Sequence, residues 1–146
     1  MKRHLVLGRA VAVVLLLVLC LTPLALAGEK LTKQDLVRRA ESRIAQIDVV
    51  RAKALWDKGG VWFLDLREPR EFRSGHIPGA LNIPRGWLEF RIDDLVNDRE
   101  ADIVLYCRSG DRSCLGTLSI NEMGYVNAVN LDGGWLAWDA ARYPVQ

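Results

Sequence analysis

The stretch Val104-Leu105-Tyr106-Cys107-Arg108-Ser109-Gly110-Asp111-Arg112-Ser113 decides how this chain is read. An apolar, β-prone run over 103–106 ends at a cysteine, and from Ser113 to about Met123 the pattern turns helical. A cysteine at the tip of a buried strand, followed by a Gly-containing loop that wraps back to a helix N-terminus, builds an anion site. Successive backbone N–H groups in such a loop form a positively polarised cradle. The helix start adds unpaired N–H donors and the positive end of its dipole. Arg108 and Arg112 add two full charges. These surroundings favour a thiolate, the nucleophilic form of cysteine, so Cys107 is the candidate nucleophile. The alternative is a buried structural cysteine acting as a small hydrophobe. Two arginines and a loop glycine directly after it weigh against that.

Outward from this stretch, short apolar strands alternate with helical patterns. Strands are expected over 45–48, 61–64, 80–83, 103–106 and 128–131. Helices are expected over 32–42, 49–58, 87–97, 113–123 and 134–141, with a short one between Arg67 and Ser74. Thr32 with Asp35 resembles an N-cap, Asp48 is placed to cap the second helix, and Gly59-Gly60 ends it. The alternation argues an α/β domain with a mainly parallel sheet. Ligands in such folds bind beyond the carboxyl ends of the strands. Asp65 follows one strand end and Cys107 another, which puts Asp65 and Arg67 near the rim of the cysteine loop.

Three further groups of residues share a pattern with a known family. They are Asp65-Leu66-Arg67-Glu68 with Glu71-Phe72; Gly75-His76-Ile77-Pro78-Gly79-Ala80 with Asn82-Ile83-Pro84; and Gly124-Tyr125 with Leu131-Asp132-Gly133-Gly134-Trp135 and Trp138. In order and spacing, together with the Cys107 loop, they resemble the rhodanese-like sulfurtransferases over about residues 45–145. The resemblance implies a single rhodanese-like domain over 45–146, with a mainly parallel five-stranded sheet flanked by helices. It implies a thiosulfate sulfurtransferase without a cofactor, in which Cys107 carries a persulfide. The donor would be a small sulfur-containing anion and the acceptor cyanide, a thiol or a protein dithiol. A protein persulfide partner, or a non-enzymatic carrier loaded by a partner, is the alternative. Dual-specificity cell-cycle phosphatases share the fold, but their pattern is cysteine, five residues, arginine. Here four residues separate Cys107 from Arg112, a cradle too tight for a phosphoryl group.

Within the loop, Arg108 is the better candidate for anion capture. Arg112 either binds the donor or turns inward to backbone carbonyls or Glu71. Asp111, an acid at the loop tip, partly offsets the arginines. Ser109 and Ser113 are candidate hydroxyl donors, with Ser113 equally suited to capping the helix. Asp65 and Arg67 read as supports of the rim and His76 as a structural histidine. Trp87 is a candidate pocket-lining aromatic. Cys114 reads as a buried small hydrophobe, and a resolving role would need disulfide range to Cys107.

The chain has 146 residues, one domain's length. Its start has the three-part layout of a secretory signal: Lys2, Arg3 and Arg9 in a basic start, an apolar run over 10–21, and Ala25-Leu26-Ala27 after Pro23. Cleavage after Ala27 would leave 119 residues, with residues 28–44 as an N-terminal helical extension. That cut removes three of the 20 basic residues and none of the 18 acids, so the net charge falls from +2 to −1. Bulk charge therefore gives no reason to expect nucleic-acid binding. The expected location is the periplasm or cell exterior, with a membrane anchor as the alternative if the segment stays uncleaved. The mature chain keeps two cysteines and no zinc-type spacing, and a monomer is expected.

Overall fold

The computed structural model describes residues 30–146, and the expected export segment lies outside them. The first described helix, α1 (Lys33–Glu41), starts at a capping box in which Thr32 and Asp35 bond reciprocally. It leads through β1 (Ala45–Ile47) to α2 (Val49–Lys58), whose first turn is capped by the Asp48 carboxylate and which stops at Gly59. Then come β2 (Trp62–Asp65), a short α3 (Pro69–Arg73) and β3 (Leu81–Asn82). A 3-10 turn, Arg85–Trp87, opens α4 (Leu88–Leu95). The last four elements are β4 (Ile103–Tyr106), α5 (Asp111–Glu122), β5 (Ala128–Leu131) and α6 (Gly134–Ala140).

The strands form one sheet in the order β1-β5-β4-β2-β3, and every pairing is parallel. The expected mainly parallel sheet is thus wholly parallel. Parallel strands need crossovers, and the crossover helices cover both faces. The burial of β4 records this: all four of its residues are buried. Its alternate side chains enter different cores, as a period of two requires. Ile103, Leu105 and then Cys107 face one way, packed with Leu88, Ile92, Ile120 and Tyr125. Val104 and Tyr106 face the other, with Phe63, Ile77, Leu131 and Trp138. A third, smaller cluster joins Val37 and Ala40 of α1 to Cys114 of α5. Among the described residues no helix is long and apolar enough to cross a membrane.

Two element boundaries differ from expectation near the site. α5 begins at Asp111, two residues before Ser113, because Gly110 adopts a left-handed conformation (φ 101°) that turns the chain directly into the helix. Asp111 is therefore the first helical residue and not a loop tip. The helix expected over 87–97 begins as the 3-10 turn after Pro84 and ends at Leu95.

At the carboxyl end of β2 a buried ion pair ties several segments together. The Asp65 carboxylate is fully buried, and Arg67 is 3% exposed. The Arg67 guanidinium bonds both Asp65 oxygens, at 2.6 to 3.0 Å, and donates to the Gly75 carbonyl at 2.7 Å. It also lies over the Trp135 ring at 4.5 Å. Burial works against the Arg67 charge, but the Asp65 partner outweighs it and holds the guanidinium above its ordinary range. Breaking such a pair leaves an uncompensated charge inside the protein. Arg67→Met is expected to cost about 3–5 kcal/mol in urea denaturation. The Asp65→Asn, Arg67→Met double variant should recover part of that loss, because the buried carboxylate goes as well.

Candidate active site: the Cys107 loop

Cys107 leaves the end of β4 with its side chain 1% exposed. The Gly110 N–H donates toward its Sγ at 3.3 Å. The loop takes this shape because its carbonyls are bound from behind. The Cys107 carbonyl accepts from the Trp135 N–H at 2.7 Å, and the Arg108 carbonyl from the Leu136 N–H at 3.0 Å. Both donors belong to the first turn of α6, where N–H groups have no partner within the helix. Each peptide is planar and trans, so a carbonyl turned toward α6 turns the next N–H away from it. The N–H groups of Arg108 and Ser109 are thereby directed off α6.

Gly134 makes this docking possible. A Cβ there would stand 2.5 Å from the Cys107 carbonyl oxygen and 2.9 Å from the Gly110 nitrogen, in a backbone conformation (φ 53°) that side chains rarely adopt. Arg67 supports the same contact from the other side, through its stacking on Trp135. Asp65 and Arg67 thus act on the loop through Trp135, as rim supports. In the sequence, Gly133-Gly134-Trp135 is only a pattern. A glycine pair before a helix carried the signal, but no spacing says which backbone it meets.

The charged side chains arrange themselves in pairs. Arg112 faces Glu71 at 3.3 to 3.4 Å. Burial opposes its charge, but Glu71 first and the nearby Cys107 sulfur second hold it above its ordinary range. Glu71 in turn loses something to burial, yet Arg112 holds its carboxyl below the usual carboxylate range. Arg112 therefore turns toward Glu71 while standing beside the sulfur. Asp111 pairs with neither loop arginine; it meets Lys33 of α1 at 2.6 Å. Sequence reasoning missed Lys33, since nothing in a separation of 78 residues suggests the contact. Arg108 is exposed, as is Ser109, and has no carboxylate partner among the described residues.

Ser113 is buried inside the first turn of α5, and its hydroxyl donates back to the Gly110 carbonyl at 3.0 Å. It is neither cap nor exposed donor, because the helix has already begun. An open cleft of about 320 Å³ borders the loop, lined by Arg67, Glu71, Ser74, Arg108, Trp135 and Leu136. Trp87 does not line it. That ring is 61% exposed, packs edge-on against Phe90, and borders a separate groove with Asn82, Pro84 and Arg91. The 3-10 turn after Pro84 carries it there. His76 is structural: Nδ1 lies 3.0 Å from the Phe72 carbonyl and the ring stacks on Phe72.

Both described cysteines are free. Cys114 sits under α1, its Sγ 3.7 Å from the Val37 carbonyl, in a different apolar cluster from Cys107. Burial first, then the charges of Glu41, Asp111 and Cys107, push its thiol up to about 11. It stays protonated near neutral pH.

Comparison with known proteins agrees with this geometry. Residues 48–141 match the rhodanese-like domain family. A sulfurtransferase from Allochromatium vinosum is 36% identical over 94 residues, 64% of this chain and 86% of that one. Thiosulfate sulfurtransferase 18 from Arabidopsis thaliana is 36% identical over 115 residues, 70% of this chain and 83% of that one. Among solved structures, a Rhodopseudomonas palustris protein of unknown function, described as a possible tyrosine phosphatase, superposes with a TM-score of 0.74. It shares 31% identity, over 80% of this chain and 96% of that one. A five-stranded parallel sheet whose central strand delivers a cysteine into a loop backed by the last helix, matched across 48–141, places this chain in the rhodanese-like domain family.

Proposed function

We propose that the chain is a thiosulfate sulfurtransferase working through a Cys107 persulfide. The Cys107 thiolate attacks the outer sulfur of thiosulfate, the S–S bond breaks, and its electron pair leaves with sulfite. An acceptor thiolate or cyanide then attacks the outer sulfur of the persulfide, and the bonding pair returns to Cys107. The two half-reactions alternate, giving ping-pong kinetics. Neither step consumes a proton at the nucleophile, so no general base is invoked.

One observation carries this reading: the Gly110 N–H aims at Cys107 Sγ while α6 binds the loop carbonyls behind it. Preorganised N–H donors stabilise negative charge on sulfur without reorganising during the reaction. Arg108, exposed at the cleft, is suited to the donor's sulfonate oxygens, which a guanidinium fork meets in pairs. Arg112 supplies charge near the sulfur while Glu71 orients it. Ser109, Gly110, Asp111 and Ser113 complete the loop as backbone, helix start and internal bond. The relatives named sulfurtransferase support the same class of reaction.

Export completes the proposal. The basic start, apolar run and Ala-Leu-Ala ending support a cleaved signal and a periplasmic or secreted protein. Intact mass of protein recovered from the exporting cell's envelope or medium is expected to begin at Gly28. A mass retaining residues 1–27 would indicate an anchored form instead.

The decisive experiment is intact mass before and after thiosulfate, beside Cys107→Ser. A gain of one sulfur atom (about 32 Da by composition), reversed by cyanide and absent in the variant, is the expected result. No gain, or hydrolysis of an aryl phosphate in its place, would overturn the reading. In steady-state assays Arg108→Ala is expected to raise KM for thiosulfate about tenfold, the worth of one charge-assisted hydrogen bond. Its kcat should change less, because the persulfide half of the site remains intact.

A further inference from the structure

The acid at the start of α5 is an obstacle to anion chemistry. Asp111 directly follows Gly110, the residue whose N–H points at Cys107 Sγ. A carboxylate there suits the helix dipole but repels any anion brought to the same helix start. The loop's other charges do not overcome it. Arg112 is already engaged by Glu71, so among the loop's own cations Arg108 is left to set against Asp111. Lys33 offsets the Asp111 carboxylate, bonding its Oδ2 at 2.6 Å.

Lys33 does not reach the site on a loose tail. It is the first residue of α1, fixed there by the Thr32–Asp35 capping box. α1 is seated on α5 by Val37 and Ala40 against Cys114, with Leu115 and Leu118 beside them. The Arg43–Glu122 pair, at 2.8 Å, ties the chain after α1 to the end of α5. Arg38 of the same helix is engaged by Asp35 instead. α1 also lies outside residues 48–141, so the charge comes from an extension and not from the matched domain.

We propose that Lys33 is a specificity-determining residue of the Cys107 site: by neutralising Asp111 it lowers the repulsion of an anion at the loop and favours a doubly negative donor over neutral or cationic ones. The choice of thiosulfate as that donor rests on the function proposed above; the electrostatic role does not. Both side chains are partly exposed, at 63% and 41%, so the effect is screened by salt.

The test is a charge series of thiol probes: methanethiosulfonates bearing a sulfonatoethyl, a methyl or a trimethylammonioethyl group. In each, the Cys107 thiolate attacks the sulfenyl sulfur, a mixed disulfide forms, and methanesulfinate leaves with the electron pair. Peptide mass assigns the product to Cys107. Lys33→Gln is expected to slow the anionic reagent about two- to fivefold relative to the neutral one, the range for exposed charge pairs. The cationic reagent should gain by a similar factor, and both changes should shrink as salt is added. Lys33→Arg should behave as wild type. Asp111→Asn should move the ratio the opposite way, toward the anionic reagent. For thiosulfate, KM should rise by the same factor with kcat little altered.

Equal changes for all three reagents would mean that Lys33 only supports the fold, and would overturn the inference. So would an Asp111→Asn ratio shifted in the same direction as that of Lys33→Gln, or a Cys107 that does not react with the neutral reagent. The charge series requires no sulfur transfer. A Lys33-dependent ratio without a thiosulfate-derived persulfide would uphold this inference and reject the sulfurtransferase reading.

Discussion

The site depends on one constraint: the carbonyls of Cys107 and Arg108 are bound by the first turn of α6. Without those bonds, both carbonyls would lose their partners, and nothing would keep the loop's N–H groups off α6. With them, the loop is a rigid cradle and the sulfur meets a donor at 3.3 Å. Much of the surrounding structure serves that contact. Gly134 removes the Cβ that would collide with it, and Arg67 stacks on Trp135, the residue that donates the shorter bond. Asp65 and the Gly75 carbonyl hold Arg67 in turn. A chain of contacts thus runs from the end of β2 to the backbone of the cysteine.

The sheet supplies the position. β4 is central, flanked by β5 and β2, and buried on both faces. Period-two alternation sends Ile103, Leu105 and Cys107 into the core under α4 and α5. A slip of one residue would move Cys107 to the opposite face, with Val104 and Tyr106. The apolar packing of β4 therefore sets the direction of the sulfur as well as the stability of the sheet. The pairing Asp65–Tyr106 brings the ends of β2 and β4 level, so Arg67 and the loop meet at one rim.

Charge is distributed around the loop by partners far away in sequence. Glu71 from α3 engages Arg112, Lys33 from α1 engages Asp111, and Arg108 remains exposed at the cleft. Each of these charges but Arg108 is thus set by a partner outside the loop. In such a balance single charges matter, because the arginines are not all available to a ligand.

The fold class and the central loop are legible in the order of residues alone. Short apolar runs ending at Asp65 and Cys107, with glycines and caps between helical patterns, are local signals, and local signals survive without a structure. The capping of α1 by Thr32 and of α2 by Asp48 was legible for the same reason. So was the nearness of Asp65 and Arg67 to Cys107, since parallel strands bring their carboxyl ends to one rim. The start of α5 was misread by two residues because a left-handed glycine can begin a helix without a side-chain cap. Trp87 was misplaced because the direction of a ring depends on the turn that carries it. Three features come from packing: α6 backs the loop, Arg112 turns to Glu71, and Asp111 meets Lys33. These contacts join residues separated by tens of positions, and their geometry follows from packing, which no local pattern encodes.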